Sequence, residues 1–285
     1  MNRILVGVDD SPAAQSALEW SVQLAIRGDL ELVVARVFVS PQAELPPEED
    51  ALLHDEQLAE LDQWFGALCP ERVRARTVLL DGDPLVALLI AAHGHHADML
   101  VVGGGDALRH SHVPLGSVAH HLAHHTTVPA AIVPAGIAAR AEHVVLGVNG
   151  SRGSLVAAEF CAQVARLLAV PVTAVYAFEP FVAEWVGTDS RSWERQAVAD
   201  ARTWAAPVVK AGVELDIDVD RDIHPIAAMT RALAPHRGSV AVVGSRGHGG
   251  FIDPHLGSVP LRLLRDTDAT VIVVPTSKRA TGDRY

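Results

Sequence analysis

The residues best suited to chemistry are the glycines and the serine of one short loop, Gly244-x2-Gly247-x9-Gly257-Ser258. The loop follows an apolar run, and its Gly-Ser pair precedes a helical pattern. Glycines let backbone N–H groups approach phosphate oxygens closely. A serine hydroxyl at a helix start adds a donor beside the positive end of the helix dipole. The pattern therefore predicts an anion site that holds phosphate groups.

An earlier loop repeats this pattern with one change. It reads Gly103-x2-Asp106-x9-Gly116-Ser117, so Asp106 stands where the later loop has Gly247. A carboxylate about 5 Å from a phosphate charge is repelled by roughly 3 kcal/mol at an effective dielectric near 20. That repulsion lowers affinity about a hundredfold. It disappears if Asp106 points away, or if it binds a Mg²⁺ ion that accompanies the phosphates.

The elements that must position these loops are repeated along the chain. Ile4–Ser11 returns as Val144–Ser151, 140 residues later, and Leu115–Val118 returns as Leu256–Val259, 141 residues later. So small a change of offset over this distance indicates a duplication. The predicted divisions are domain 1 (1–136), a linker (137–141), domain 2 (142–276) and a C-terminal tail (277–285).

Within each copy, apolar runs rich in β-branched residues alternate with helical patterns. Near-continuous apolar runs are typical of strands buried on both faces. We predict strands at Ile4–Val8, Glu31–Val37, Val73–Leu80, Met99–Gly103, Ala130–Val133, 142–148, 171–177, 213–220, 240–244 and 270–274. Helices are predicted at Ala13–Arg27, Glu48–Leu68, Pro84–His93 and Val118–His125, and again in the second copy. This alternation predicts an α/β fold of two tandem doubly wound domains, each with a five-stranded parallel sheet.

Further motifs make the chain similar to a known family. Gly7-Val8-Asp9-Asp10-Ser11, Asp83-Pro84, the glycine loop of the second copy and the closing Val-Ile-Val-Val-Pro275 segment resemble tandem-domain universal stress proteins of the type common in actinobacteria. The resemblance covers nearly the whole chain, twice, and implies the adenine nucleotide alpha hydrolase-like fold.

The resemblance also implies a nucleotide site in each copy. In the ATP-binding branch of the family, the acid after the first strand contacts the nucleoside, the end of the second strand meets adenine through its backbone, and the loop with its Gly-Ser holds the phosphates. By position, the implied residues are Asp9, Val37, Gly103, Gly116, Ser117 and Val118 in the first copy, and Asn149, Ala177, Gly244, Gly247, Gly257, Ser258 and Val259 in the second.

The two copies each depart from the family pattern in a different place. The first keeps Asp9 but carries Asp106 in its loop, and the second keeps the loop glycines but carries Asn149. An asparagine can hydrogen-bond a ribose hydroxyl, though less strongly than a charged acceptor. Because phosphate-loop glycines are harder to replace than one ribose contact, the sequence favours the second copy as the nucleotide holder.

The resemblance implies an ATP-binding regulator or sensor of the stress response that carries out no turnover, with Mg²⁺ accompanying the ATP. A slow ATP hydrolase and a partner-binding scaffold with degenerate sites are the alternatives, and cyclic AMP lies within the family's ligand range. The family pairs its last strand edge to edge. We therefore expect a homodimer or a pseudo-dimer within the chain, together with a protein partner that the sequence does not name.

Composition excludes several other classes of protein. The 285 residues carry a net charge of −11 and no basic run, which argues against nucleic-acid binding. No apolar stretch reaches the roughly 20 residues of a membrane helix, and the N-terminal residues lack a signal-peptide pattern. Only Cys69 and Cys161 are present, so a disulfide framework is not expected and a cytoplasmic location is predicted.

Two other residue sets have simpler interpretations. His120/His124 and His121/His125 are spaced four apart, which suits a metal, but the glutamate of a zinc-protease motif is absent. A polar helix face, a transition-metal site and a pH-sensing surface remain open for these histidines, and we predict no metal. Most of the five tryptophans (Trp20, Trp64, Trp185, Trp193 and Trp204) are predicted to be packing residues, and a lid role remains open for the segment between Trp185 and Trp193.

Overall fold

The computed structural model describes residues 1–38, 47–105, 116–136, 141–177, 190–220, 224–236, 238–247 and 256–276. The chain forms two compact units. One comprises Met1–Leu122 and Ala130–Ala139, and the other Ala123–Pro129 and Arg140–Tyr285. The units follow the two sequence copies, except that Ala123–Pro129 groups with the second unit.

The first copy is a five-stranded parallel sheet flanked by helices. Its strands are β1 (Arg3–Val8), β2 (Glu31–Phe38), β3 (Ala75–Asp81), β4 (Met99–Gly103) and β5 (Ala130–Val133). Its helices are α1 (Pro12–Gly28), α2 (Pro47–Leu68), α3 (Pro84–Gly94) and α4 (Ser117–His125). The strands lie in the order β3-β2-β1-β4-β5, and every neighbouring pair is parallel.

The second copy repeats this arrangement. Its strands are β6 (Val144–Gly147), β7 (Val172–Ala177), β8 (Leu215–Asp220), β9 (Val240–Gly244) and β10 (Thr270–Val274). Its helices are α5 (Arg152–Leu168), α6 (Ser190–Trp204), α7 (Ala206–Lys210), α8 (Pro225–Leu233) and α9 (Ser258–Asp266). The order β10-β9-β6-β7-β8 is again parallel throughout, which confirms the predicted fold class.

Several strand boundaries differ by one or two residues from the sequence-based prediction: β1 begins at Arg3, β6 spans Val144–Gly147, β7 begins at Val172 and β8 begins at Leu215. β3 starts at Ala75 rather than Val73, because the Val73 N–H donates to the Pro70 carbonyl 2.9 Å away and closes a turn. β2 continues to Phe38, which pairs with Asp81 in the parallel register. The β2 shift adds one residue at the carboxyl end of that strand, next to the predicted site residue Val37.

Side-chain caps fix where the helices leave the sheet. The Ser11 hydroxyl accepts from the Ala14 N–H at 3.1 Å, and Pro12 provides a preset first turn for α1. Asp83 caps α3 in the same way, accepting from the Val86 N–H at 3.1 Å. Ser151 caps α5. These caps matter for function because α1 and α5 begin immediately after the strand ends that carry Asp9 and Asn149.

The cores are built from the central strands and the inner faces of the helices. Leu5 in β1, Leu100 in β4 and Leu146 in β6 are fully buried, as is Trp20 in α1. Continuous burial along these strands confirms that their apolar runs are covered on both faces. Among the described residues, no helix is both long and apolar enough to span a membrane.

Candidate functional site

One cleft at the carboxyl ends of the first-copy strands gathers all the residues predicted to form a site there. It has a volume of about 580 Å³. Its lining includes Asp9, Val37, Gly103, Gly116, Ser117 and Val118. Asp9 follows β1, Val37 is the penultimate residue of β2, Gly103 ends β4, and the other three lie at the start of α4, so four separate segments of the chain converge. Ligands of doubly wound folds bind at this edge of the sheet.

The carboxylate of Asp9 is exposed and held in a fixed orientation. Its Oδ1 accepts from the Ser11 N–H at 3.0 Å and from the Ser11 hydroxyl at 2.5 Å. Ser11 therefore caps α1 and orients Asp9 with the same side chain. A preset charged acceptor at the mouth of the cleft is suited to a ligand hydroxyl.

An arginine that the sequence motifs did not predict as a site residue lines the same cleft. Arg36 lies on β2, its side chain is 14% exposed, and its Nη2 is 2.6 Å from Oδ1 of Asp10, whose side chain is 93% exposed. The Arg36 Nε is buried and has no hydrogen-bond partner among the described residues. A charged residue near the end of an otherwise apolar strand was the available signal.

The first glycine of each loop is required by packing. A Cβ on Gly103 would lie 2.7–2.8 Å from atoms of Ala13 and Ala14, and one on Gly244 would lie 2.5 Å from the Gly153 carbonyl carbon. The start of α1 or α5 thus rests directly on the last residue of β4 or β9. These glycines allow the helix to approach the sheet, whatever they also do for a ligand.

Both loops are closed by equivalent backbone hydrogen bonds. Gly104 N–H donates to the Val133 carbonyl at 2.8 Å, and Gly116 N–H donates to the Gly104 carbonyl at 3.3 Å. In the second copy, Ser245 N–H donates to the Val274 carbonyl at 2.8 Å, and Gly257 N–H donates to the Ser245 carbonyl at 2.9 Å. The loops therefore leave and rejoin the domain in the same way.

Between these bonds the two loops follow different backbone paths. Gly105 has a φ of +91°, which favours glycine, whereas the equivalent Arg246 is not among the residues with positive φ. A Cβ on Gly153 would lie only 2.2 Å from the Arg246 carbonyl oxygen, which is too close for both atoms to be present. The first copy has Ala13 at this helix position, and its methyl group excludes the same path.

In the second copy, Asn149 keeps the local geometry of Asp9. Its Oδ1 accepts from the Ser151 N–H at 3.1 Å and from the Ser151 hydroxyl at 2.6 Å. Its Nδ2 would lie 2.9 Å from a Cβ on Gly247, so the amide and the loop glycine are neighbours. Gly257 is the N-cap residue of α9, which begins at Ser258.

The remaining predicted site residues of the second copy lie on a strand and a helix. Ala177 is the last residue of β7, and Val259 lies in the first turn of α9. Asp106, with its neighbours Arg109, His110 and His112, lies outside the described residues, as do His248, His255, the 277–285 tail and most of the 137–141 linker.

The histidines of α4 form local contacts. The His121 Nδ1 is 2.7 Å from the Ser117 carbonyl oxygen, so this nitrogen acts as the donor, and the His120 and His121 rings meet edge to face at 5.3 Å. Within the described ranges, no group of three or more His, Cys, Asp or Glu side chains is arranged to hold a metal ion.

Comparison with known proteins places both copies in one family. The model of the Universal stress protein family matches residues 1–134 and again 141–275. A universal stress protein of Mycobacterium tuberculosis H37Rv is 26% identical in an alignment of length 296 that covers 96% of this chain and 96% of the relative. One from Mycolicibacterium smegmatis is 27% identical over 293 residues, covering 95% of this chain and 96% of the relative.

A solved structure shows the same fold over the full length. The crystal structure of a universal stress protein from Archaeoglobus fulgidus superposes with a TM-score of 0.73 at 20% identity. The match covers 97% of this chain and 99% of that one.

Proposed function

Because the chain belongs to the universal stress protein family, we propose that it binds an adenine nucleotide, ATP with Mg²⁺, in the cleft of its first copy. The observation that carries this proposal is the convergence of Asp9, Val37, Gly103, Gly116, Ser117 and Val118 on one cleft. Its volume of about 580 Å³ lies within the roughly 300–1,000 Å³ of small-molecule sites.

The geometry favours the first copy, whereas the loop glycines alone favour the second. Asp9 offers a fully charged and oriented acceptor, and Arg36 adds a cation to the wall of the same cleft. Asn149 offers only a neutral amide in the corresponding place. The first copy therefore lacks one loop glycine, at Asp106, but it has a charged acceptor and an open cleft, which the second copy does not combine.

The residues of the cleft divide into a nucleoside end and a phosphate end. Asp9 would accept a hydrogen bond from a ribose hydroxyl, and the backbone of Val37 would contact the base. At the other end, Gly116 and Ser117 lie at the start of α4, where N–H groups and the helix dipole favour an anion. A Mg²⁺ ion accompanying the nucleotide would neutralise phosphate charge.

The proposed role is regulation by occupancy, without turnover. The motif residues that the structure describes supply donors for phosphate and an acceptor for ribose, which supports binding rather than activation of a water molecule. Binding of ATP stabilises the first copy and so reports nucleotide supply. A ligand in excess at 100 times its dissociation constant stabilises a fold by about 2.7 kcal/mol.

Calorimetric titration of the full chain with ATP and Mg²⁺ tests the proposal. We expect one equivalent for the wild type, loss of binding in Asp9→Ala/Ser117→Ala, and little change in Asn149→Ala/Ser258→Ala, the matched change in the second copy. The opposite pattern would assign the nucleotide to the second copy.

Analysis of nucleotides in the denatured protein completes the test. Recovered ATP supports regulation by occupancy, and ADP formed from ATP during incubation supports the hydrolase. Absence of binding by both ATP and cyclic AMP leaves the partner-binding scaffold.

A further inference from the structure

An indole ring lies against the turn that follows the first strand of the second copy. Trp204, the last residue of α6, packs so closely on Gly150 that a Cβ there would lie 2.6 Å from the Trp204 Cζ2 and 2.8 Å from its Cε2. Gly150 has a φ of +77° and lies beside Asn149. The indole therefore reaches the backbone next to the predicted nucleoside contact.

A second aromatic residue holds this indole in place. Tyr176 of β7 packs edge to face on Trp204, with ring centroids 5.0 Å apart and an interplanar angle of 83°. Tyr176 immediately precedes Ala177, the residue expected to present its backbone to adenine. Trp204 is thus positioned between the ends of the two strands that would flank a nucleoside.

The equivalent positions of the first copy form part of an open cleft. At an offset of 140 residues, Gly150 corresponds to Asp10 and Tyr176 to Arg36. Asp10 and Arg36 both line the first-copy cleft, and the Asp10 side chain is 93% exposed. What is open cleft wall in the first copy is covered by an indole in the second.

The covering depends on the residue pair and not on tryptophan alone. The first copy also has a tryptophan at the equivalent place, Trp64, but it is not among the residues that line the cleft. In the first copy, the residue that corresponds to Gly150 is Asp10 rather than a glycine. An aspartate at position 150 would collide with the indole, so Gly150 is what admits Trp204.

We propose that Trp204 is the specificity-determining residue of the second copy, because its indole occupies the nucleoside end of that site and prevents an adenine nucleotide from binding there. This inference rests on the proposed function, since it explains why one copy binds and the other does not. The phosphate loop of the second copy is retained while its nucleoside end is filled by the chain itself.

Counting bound nucleotides by calorimetry on the full chain tests this inference. Titration with ATP and Mg²⁺ is expected to give one equivalent for the wild type and two for Trp204→Ala. Trp204→Leu, which keeps an apolar side chain in the fold, is expected to behave likewise. Trp64→Ala is the matched control and should stay at one equivalent. Circular dichroism melting of each variant verifies that both copies remain folded.

A second background isolates the second copy. In Asp9→Ala/Ser117→Ala, where the first-copy cleft is disabled, the chain should bind no ATP, and adding Trp204→Ala should restore one equivalent. Removal of the Trp204 indole should raise the affinity of the second copy for ATP by about tenfold or more. A conformation in which the indole fills the site lowers the apparent affinity in proportion to its population.

The outcomes separate the inference from the function on which it rests. One equivalent in both Trp204 variants overturns the inference and leaves the proposed function standing. Two equivalents in the wild type, weakened by Trp204→Ala, would show that the indole is a stacking surface, which also overturns it. No binding by the wild type but one equivalent in Trp204→Ala sustains the inference and refutes the first-copy function. Absence of binding in every variant refutes both.

Discussion

At the first turn of α1 the chain has Ala13, and at the equivalent place in α5 it has Gly153. The loops above them begin and end with equivalent hydrogen bonds, yet the Arg246 carbonyl occupies the space that a methyl group would fill. The first loop instead turns at Gly105 with a φ of +91°. One methyl group under a loop thus selects its path, although neither residue belongs to the phosphate motif.

The nucleoside ends of the two copies differ as well. The first has an ion pair between Asp10 and Arg36 at the mouth of an open cleft, and the second has Gly150 covered by Trp204. Each nucleoside end follows the first strand of its copy and precedes a helix with a serine N-cap. Similar frameworks therefore carry a charged, open corner in one copy and an aromatic, filled corner in the other.

The largest effect is expected from exchanging the residues under the loops. Gly153→Ala would place a methyl group 2.2 Å from the Arg246 carbonyl oxygen, so the loop must move. We expect the free energy of unfolding of the second copy to fall by about 2 kcal/mol, as for other overpacked sites. Ala13→Gly should cost the first copy about 1 kcal/mol or less, through helix propensity alone. Denaturant unfolding measures both, and equal losses would show that the methyl group does not select the loop path.

A smaller effect is expected from exchanging the strand-end acceptors. Asp9→Asn should weaken ATP binding about tenfold, because a neutral acceptor replaces a charged one. Asn149→Asp should leave the number of bound nucleotides unchanged while Trp204 still fills the second site. Calorimetry measures both, and a second equivalent in Asn149→Asp would mean that charge, and not the indole, separates the copies.

A further contrast between the copies should appear in their pH dependence. His143 is buried, its Nε2 is 2.9 Å from the Thr173 hydroxyl, and its ring stacks on that of His236 at 4.4 Å. Burial, followed by the charge of His236, lowers the pKa of His143, and Asp216 partly opposes this. The equivalent residue of the first copy is Arg3, which pairs with Glu31 at 2.6 Å.

The sign of the pH effect follows from the lowered pKa. The unfolded chain takes up a proton near the ordinary histidine pKa of 6.5, while folded His143 resists it. Stability is therefore full above pH 6.5 and falls as the pH decreases toward the folded pKa. His143→Gln should flatten this fall in denaturant unfolding between about pH 7 and pH 5. A residual slope is expected because burial, with Arg76 and Arg3, also lowers the pKa of His95. An unchanged slope would contradict the assignment to His143.

The smallest effect is expected from the ion pair at the mouth of the first cleft. Asp10 is 93% exposed, so solvent screens its attraction to Arg36. Asp10→Asn should change the free energy of unfolding by less than about 0.5 kcal/mol. Denaturant unfolding at low and high salt checks this. A larger, salt-sensitive loss would show that the pair fixes the strand ends.

The sequence predicted those features that depend on neighbours along the chain. The strand runs and the helical patterns that alternate with them are local, and the structure confirms these elements. The convergence of the first-copy site residues on one cleft follows from parallel strands whose carboxyl ends share an edge.

Contacts between distant residues escaped prediction because no local pattern encodes them. Trp204 and Gly150 are 54 positions apart, and periodicity on α6 predicts only that the indole is packed, not against what. The requirement for glycine at Gly103 likewise arises from α1, some 90 residues earlier in the chain. Arg36 was missed because an apolar strand pattern tolerates a single charged residue at its end.

The pairing of Ala13 with Gly153 also bears on how such a chain can change over time. Where two identical chains assemble, every codon change alters both sites together, so a variant must be tolerated twice. Here two separate codons specify the residue under each loop. One site can therefore drift, close or acquire another task while its twin remains under selection, and the differences at Gly150 and Trp204 are of the kind that this freedom permits.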